Sequence, residues 1–300
     1  MPVVYILLFA IIFIRLFLVV FAHILMERHP VPGDIKKVWY ATIILSGIPG
    51  MITFFLFLRH IDTSGPVRKN FMPFNPGTIS GAILSFLYLQ VFPGTGGGIL
   101  GLVIFITICN GATFSLSNLL SPAFIGIALI IGDLAALSTL YITHIWTGII
   151  QSHKIQNWHI RAFSAFLLGV ILSYISYIAE PYIRKSFGEP YSLFGTAPGV
   201  ITPGAFALLL VGGIVIAPVF EEIFFRAYAY GSMEKKHRSR ALILSSLLFA
   251  IAHFDLPVVL IIFALGILLC YIYDWGGIHS AIALHSGFNT FALLYTYLGP

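Results

Sequence analysis

Apolar runs of about the length of a membrane helix follow one another along almost the whole chain, and this leaves few folds open to it. Such runs lie at about 4–24, 39–58, 80–93, 98–115, 122–148, 161–183, 205–230, 241–254, 257–273 and 278–298. A helix needs roughly 20 apolar residues to cross a bilayer, and only helices or closed barrels satisfy their backbone there. With 59% hydrophobic residues, 9% charged and a mean hydropathy of +0.98 over 300 residues, the chain reads as an all-α, polytopic transmembrane bundle of about eight to ten helices. Met1 to about Ile24 is too long for a cleaved signal, lacks a basic start and carries Arg15 inside it, so it reads as a retained first helix. Cys109 and Cys270 both lie in apolar segments, which argues against a disulfide framework or a thiolate metal site.

The pair 80–93 and 98–115 is interrupted by Pro93, Gly94, Thr95, Gly96, Gly97 and Gly98. It reads either as two helices or as a re-entrant hairpin buried in protein. The loop 231–240 carries a net +3, with Lys235, Lys236, Arg238 and Arg240 against Glu234, and this places it in the cytoplasm. Alternation then puts 149–160, with Lys154 and neighbouring Arg161, inside, and 184–204, with Arg184, Lys185 and Glu189, outside. In the first half one of the two positive loops, 25–38 and 59–78, must lie outside. The +5 net charge is thus one of basic loops in a multi-pass membrane protein, in the cell membrane if prokaryotic. No basic run stands beside an exposed aromatic platform, so nucleic acid is not expected as a partner. Polar residues in apolar spans are sparse before about residue 155 and concentrate after 205, which divides the chain into 1–155, of unassigned role, and 156–300.

Glu221, Glu222 and Arg226 stand inside a run that is otherwise apolar from Phe206 to Tyr230. Buried charges in a bilayer cost several kcal/mol and mark functional sites. Glu222 and Arg226 are four apart and share a face, so they can pair; Glu221 points about 100° away and has no local partner. A carboxylate buried without partners rises in pKa, as a general base near neutrality needs. Pro218 removes a backbone donor one turn earlier, kinking the helix and leaving a carbonyl free near the site. The next span carries Phe249 and His253, again four apart, and the last carries His285 and Asn289. Taken singly, each histidine reads as a structural residue and His285–Asn289 as interhelical glue. Counted at about 1.5 Å per residue from the basic side, Glu221, His253, His285 and Asn289 lie roughly 10–20 Å deep. A shared depth on three helices favours one constellation. Gly287 permits close approach of a neighbouring helix.

Two hydrolytic schemes fit these residues. In one, Glu221 with His253 activates water, and His285 with Asn289 donates to the oxyanion of a tetrahedral intermediate. In the other, His253, His285 and a glutamate hold zinc with water in the open position. No His-Glu-x-x-His pair is present, which favours the metal-free scheme with no cofactor. Ser286 adjoins His285 and points elsewhere, and neither cysteine is near, so a serine or cysteine nucleophile has less support.

Glu-Glu-x-x-x-Arg (Glu221, Glu222, Arg226), Phe-x-x-x-His (Phe249, His253) and His-x-x-x-Asn (His285, Asn289) together resemble the three motifs of the type II CAAX prenyl endopeptidases. These belong to the wider group of CAAX proteases and bacteriocin-processing enzymes, the Abi family. The motifs stand in the family's order, and the resemblance covers about 160–298. It implies an intramembrane glutamate protease acting on a membrane-associated or prenylated protein or peptide within the lipid bilayer. Glu221 would then be the base with His253, His285 and Asn289 would form the oxyanion site, and Glu222 and Arg226 would hold its geometry. The competing classes are a catalytically idle membrane scaffold or bacteriocin self-immunity protein and an ion-coupled transporter. Against the transporter, no inverted repeat is visible; against the scaffold, such a protein has no use for an unpaired buried carboxylate.

Overall fold

The computed structural model describes residues 2–29, 31, 33–64, 78–89, 94–108, 121–141, 155–187, 202–253 and 256–298. Every regular element among them is helical, giving the all-α polytopic bundle that the apolar runs require. Among the described residues, five helical stretches are long and apolar enough to span a membrane: Phe9–Met26, Pro122–Leu140, Trp158–Ser186, Pro203–Glu234 and Val259–Tyr295. Shorter apolar helices accompany them. The protein is a multi-pass membrane protein. Its chain falls into two compact units, residues 1–75 with 84–150, and residues 76–83 with 151–300.

In the first unit, α1 (Pro2–Met26), α2 (Gly33–Ser46), α3 (Ile48–Ser64), α5 (Thr95–Ile108) and α6 (Pro122–Leu140) pack with most of α4 (Ile79–Leu89). The expected single span 39–58 is instead broken between α2 and α3. Gly47 adopts φ 67°, a left-handed value that ends a helix cheaply only at glycine. Arg15, inside the apolar run of α1, is buried and donates to the Ile44 carbonyl and, at 3.1 Å, to the Gly96 carbonyl. Ile44 lies in the last turn of α2, where carbonyls lack helical donors and the helix dipole favours a cation. Trp39 packs edge-on against Phe54 at 5.3 Å and tilted against Phe57 at 5.0 Å. The unit buries more polarity than its apolar pattern suggested: Thr42 donates to Ser138 at 2.9 Å, and Tyr88 to Thr53 at 2.6 Å. The glycine run in the first turn of α5 has a packing use, since a Cβ on Gly97 would meet the Ile131 backbone carbonyl at 2.7 Å. At 11 and 14 residues, α4 and α5 reach only about 16 and 21 Å, short of a bilayer core. Cys109 lies outside the described residues, as do Lys154, Glu189 and most of the 59–78 loop.

In the second unit, α7 (Trp158–Ser186) lies against the last helix, α11 (Val259–Leu298). Their contact is built on glycine. A Cβ on Gly169 would overlap the Leu284 carbonyl, and one on Gly287 the Phe166 carbonyl, so the backbones touch as small residues permit in membranes. A long stretch joins α8 (Pro203–Leu210), a π-helical segment (Val211–Ile216), α9 (Ala217–Glu222) and a second π-helical segment (Ile223–Tyr230), and leads into α10 (Gly231–Ile251). Thr202 caps its start, accepting from the Ala205 amide at 3.3 Å with Pro203 in the first turn. The 231–240 segment, expected as a loop, is helical and broken only at His237 (φ −148°, ψ 66°). Arg238 and Arg240 in this segment are exposed, and such residues are solvated on a helix end as readily as in a loop. The two last apolar runs form α11, interrupted at Gly277 (φ 71°).

Candidate active site

Pro218 sets the local geometry. In the first π segment the Ala217 amide donates five residues back to Gly212, and the next rung of that ladder would run from residue 218 to Gly213. Proline has no N–H, so the π register stops there and α9 begins, carrying Glu221 and Glu222 in its last turn. The Gly213 carbonyl is instead taken by Asn289, whose Nδ2 donates to it at 2.7 Å. Pi-helical insertions of this kind gather at functional sites.

Glu222 and Arg226 are both completely buried, and Arg226 Nε lies 3.2 Å from Glu222 Oε2, the pair that their spacing suggested. Arg226 also donates to the Gly266 carbonyl at 3.3 Å and lies over the Phe249 ring at 4.3 Å, a cation–π contact strengthened by exclusion of water. Glu222 Oε1 accepts from His285 Nδ1 at 2.8 Å. The other ring nitrogen, Nε2, stands 4.0 Å from Glu221 Oε2, too far for a hydrogen bond. The Glu221 side chain is 23% exposed, yet its Oε2 is buried and accepts no hydrogen bond. Arg226, Glu222, His285 and Glu221 thus form a continuous row of charged and titratable groups. With Nδ1–H given to Glu222, Nε2 accepts a proton in the neutral ring and donates one in the protonated ring.

Phe249 is the hub that spacing alone assigned only to His253. Its buried ring meets His253 at 4.9 Å, His285 at 5.4 Å and Phe225 at 5.3 Å, besides Arg226. His253 uses Nδ1 on the carbonyl of Phe249, one turn back, at 2.8 Å. Among the described residues no ion pair within 4.0 Å joins His253 to Glu221; the histidine beside Glu221 is His285. Nor do three or more His, Cys, Asp or Glu side chains converge as metal ligands among those residues. Cys270 is buried, 4.0 Å from the Ser246 hydroxyl.

Residues 203–291 match the family model of the type II CAAX prenyl endopeptidase Rce1-like proteins. Those residues belong to the Rce1-like family. The Rce1-like segment opens at the proline that begins α8 and closes two residues beyond Asn289, so it contains Glu221, Glu222, Arg226, His253, His285 and Asn289. It is a family of proteases. No curated protein and no solved structure gives a further match. Three features of this candidate site escaped the sequence: the Gly213 carbonyl as the partner of Asn289, the Gly266 carbonyl as a partner of Arg226, and the π segments. The only signal for the first was Pro218.

Proposed function

We propose that the protein is an intramembrane endopeptidase that hydrolyses a peptide bond of a membrane-associated or prenylated protein, with Glu221 activating water. The observation that carries this reading is the Glu221 carboxylate, whose Oε2 is free of protein donors beside His285 while Glu222 is held by Arg226. One carboxylate is structural and the other is left to take a proton. In the reaction Glu221 accepts a proton from water as the oxygen attacks the scissile carbonyl carbon. The resulting oxyanion is stabilised by donors on α11, the Asn289 amide and protonated His285 Nε2. The intermediate collapses with cleavage of C–N, and Glu221 returns its proton to the leaving amine. His253, anchored through Nδ1, keeps Nε2 for the water or the amine. The scheme requires no metal ion. A site within the bilayer suits a substrate held by a lipid anchor, and a C-terminal Cys-a-a-X sequence is the substrate class that the family suggests. The basic residues around His237 face the cytoplasm in this reading.

The test is cleavage of a prenylated Cys-a-a-X peptide by the purified chain in detergent, with and without a strong chelator. Glu221→Gln is expected to lower the rate by about 10³-fold or more with an unchanged unfolding midpoint. Substantial residual activity in that variant would remove Glu221 as the base. Activity lost to the chelator and restored by zinc would transfer the histidines to metal-binding roles. Absence of cleavage by the parent chain would favour a scaffold.

A further inference from the structure

We propose that Pro218 and Gly213 are positioning residues that aim the Asn289 amide, an inference that rests on reading Asn289 as an oxyanion donor. The π ladder reaches Gly212 from Ala217, and at its next rung the proline supplies no donor. Any other residue at 218 would bring an N–H to the Gly213 carbonyl and compete with Asn289 for it. The proline keeps that carbonyl open, and Asn289 fills it at 2.7 Å. A planar amide with one hydrogen fixed has its second hydrogen fixed as well, at about 120° to the first. Asn289 lies one turn beyond His285 on the same face of α11, so the remaining N–H belongs to the face that presents His285 to the two glutamates. Gly213 eases the approach, because a Cβ there would come within 3.1 Å of Leu293 Cδ1 on α11 and that side-chain end would have to yield by a few tenths of an ångström.

A missing N–H therefore has a catalytic consequence. Preorganised donors act by needing no reorientation as charge develops, and an amide free to rotate would lose that advantage. Asn289 is a candidate catalytic residue under the proposed reaction; Pro218 and Gly213 touch no reacting atom and act only through it.

The experiment is a double-mutant cycle of the parent, Pro218→Ala, Asn289→Ala and the double variant, read by peptide cleavage and by thermal unfolding in detergent. Pro218→Ala is expected to lower kcat by about 10- to 100-fold and leave KM unchanged. The same substitution should lower kcat no further once Asn289 is alanine. In unfolding, Pro218→Ala should raise the midpoint more in the Asn289→Ala background, where it gives the orphaned Gly213 carbonyl a donor, than in the parent. Effects of proline removal on the unfolded chain are equal in both backgrounds and cancel. Additive losses in kcat, or equal midpoint shifts in the two backgrounds, would overturn the inference. If the parent cleaves nothing, the oxyanion reading and the catalytic half of this inference fall together, and the unfolding cycle still sustains or overturns the contact itself.

Discussion

Each unit buries an arginine within an apolar helix, and the two are satisfied by different means. Arg15 in the first unit gives its guanidinium to two backbone carbonyls, Ile44 and Gly96, and has no carboxylate partner among the described residues. Arg226 in the second unit faces Glu222 at 3.2 Å, yet its Nε and Nη1 and the facing Glu222 Oε2 lack hydrogen-bond partners of good geometry. The first arrangement ties one helix to the end of another. The second leaves electrostatic demand within a row that runs on to His285 and Glu221. Polar networks in a low-dielectric interior are worth most when fully satisfied and are sensitive to change when they are not. A charge inside a membrane helix is therefore not by itself a catalytic signal; what surrounds it decides.

The comparison breaks most sharply by removing each arginine. Arg226→Ala leaves Glu222 buried without its cation, and loss of one partner of a buried pair costs about 3–5 kcal/mol. The expected result is a large fall in unfolding midpoint together with loss of cleavage. Replacing both partners, Glu222→Gln with Arg226→Met, should recover much of the stability and none of the activity. Arg15→Met takes a donor from two carbonyls and strands that of Ile44 at the end of α2, at a cost of about 1–3 kcal/mol, and the folded fraction should keep its rate per molecule. If the two single variants behaved alike in both readouts, the contrast between structural and functional arginines would fail.

Glycines give a second contrast of smaller size. Gly287→Ala would push a Cβ into the Phe166 carbonyl of α7, separating α7 from the helix that carries His285 and Asn289. A drop in midpoint of several degrees and a loss of kcat are expected, since small backbone displacements misplace reacting groups. Gly98, on α5 in the first unit, has open space around its missing Cβ. Gly98→Ala should instead stabilise by about 0.5–1 kcal/mol through helix propensity. A midpoint unchanged by Gly287→Ala would show that the helices can part without cost.

Spacing made the Glu222–Arg226 pair legible, because four residues on a helix bring side chains together without reference to the rest of the fold. The freed carbonyl beside Pro218 was legible for the same reason, being a consequence of one residue's chemistry. What filled that carbonyl was not, since Asn289 is 76 positions away and only packing brings it there. The choice of His285 over His253 beside Glu221 also depends on how α10 and α11 pack, which helical spacing within each does not contain. The π segments left no trace because a one-residue change of register keeps the same apolar composition. Gly47 and Pro49 did carry a break signal, but the surrounding apolar run read through it.

The smallest expected effect concerns the surface, where neither unit's buried logic applies. Lys36 Nζ lies 2.6 Å from Glu27 Oε1 just past the end of α1, and its hydrogen bond and charge hold the Glu27 carboxyl below its ordinary value of 4.5. A depressed carboxylate contributes stability above its unfolded pKa and loses it as pH falls through the folded value. The pair should therefore be intact at neutral pH and fade only in acid, below the ordinary glutamate range. Being exposed, it is screened by water and salt. Lys36→Ala should leave the midpoint at pH 7 nearly unchanged and reduce slightly the loss of stability between neutral and acid pH, with both differences vanishing in high salt. A salt-resistant effect as large as that of Arg15→Met would mean that this surface pair is held like the buried ones, and the distinction between them would have to be redrawn around geometry instead of burial.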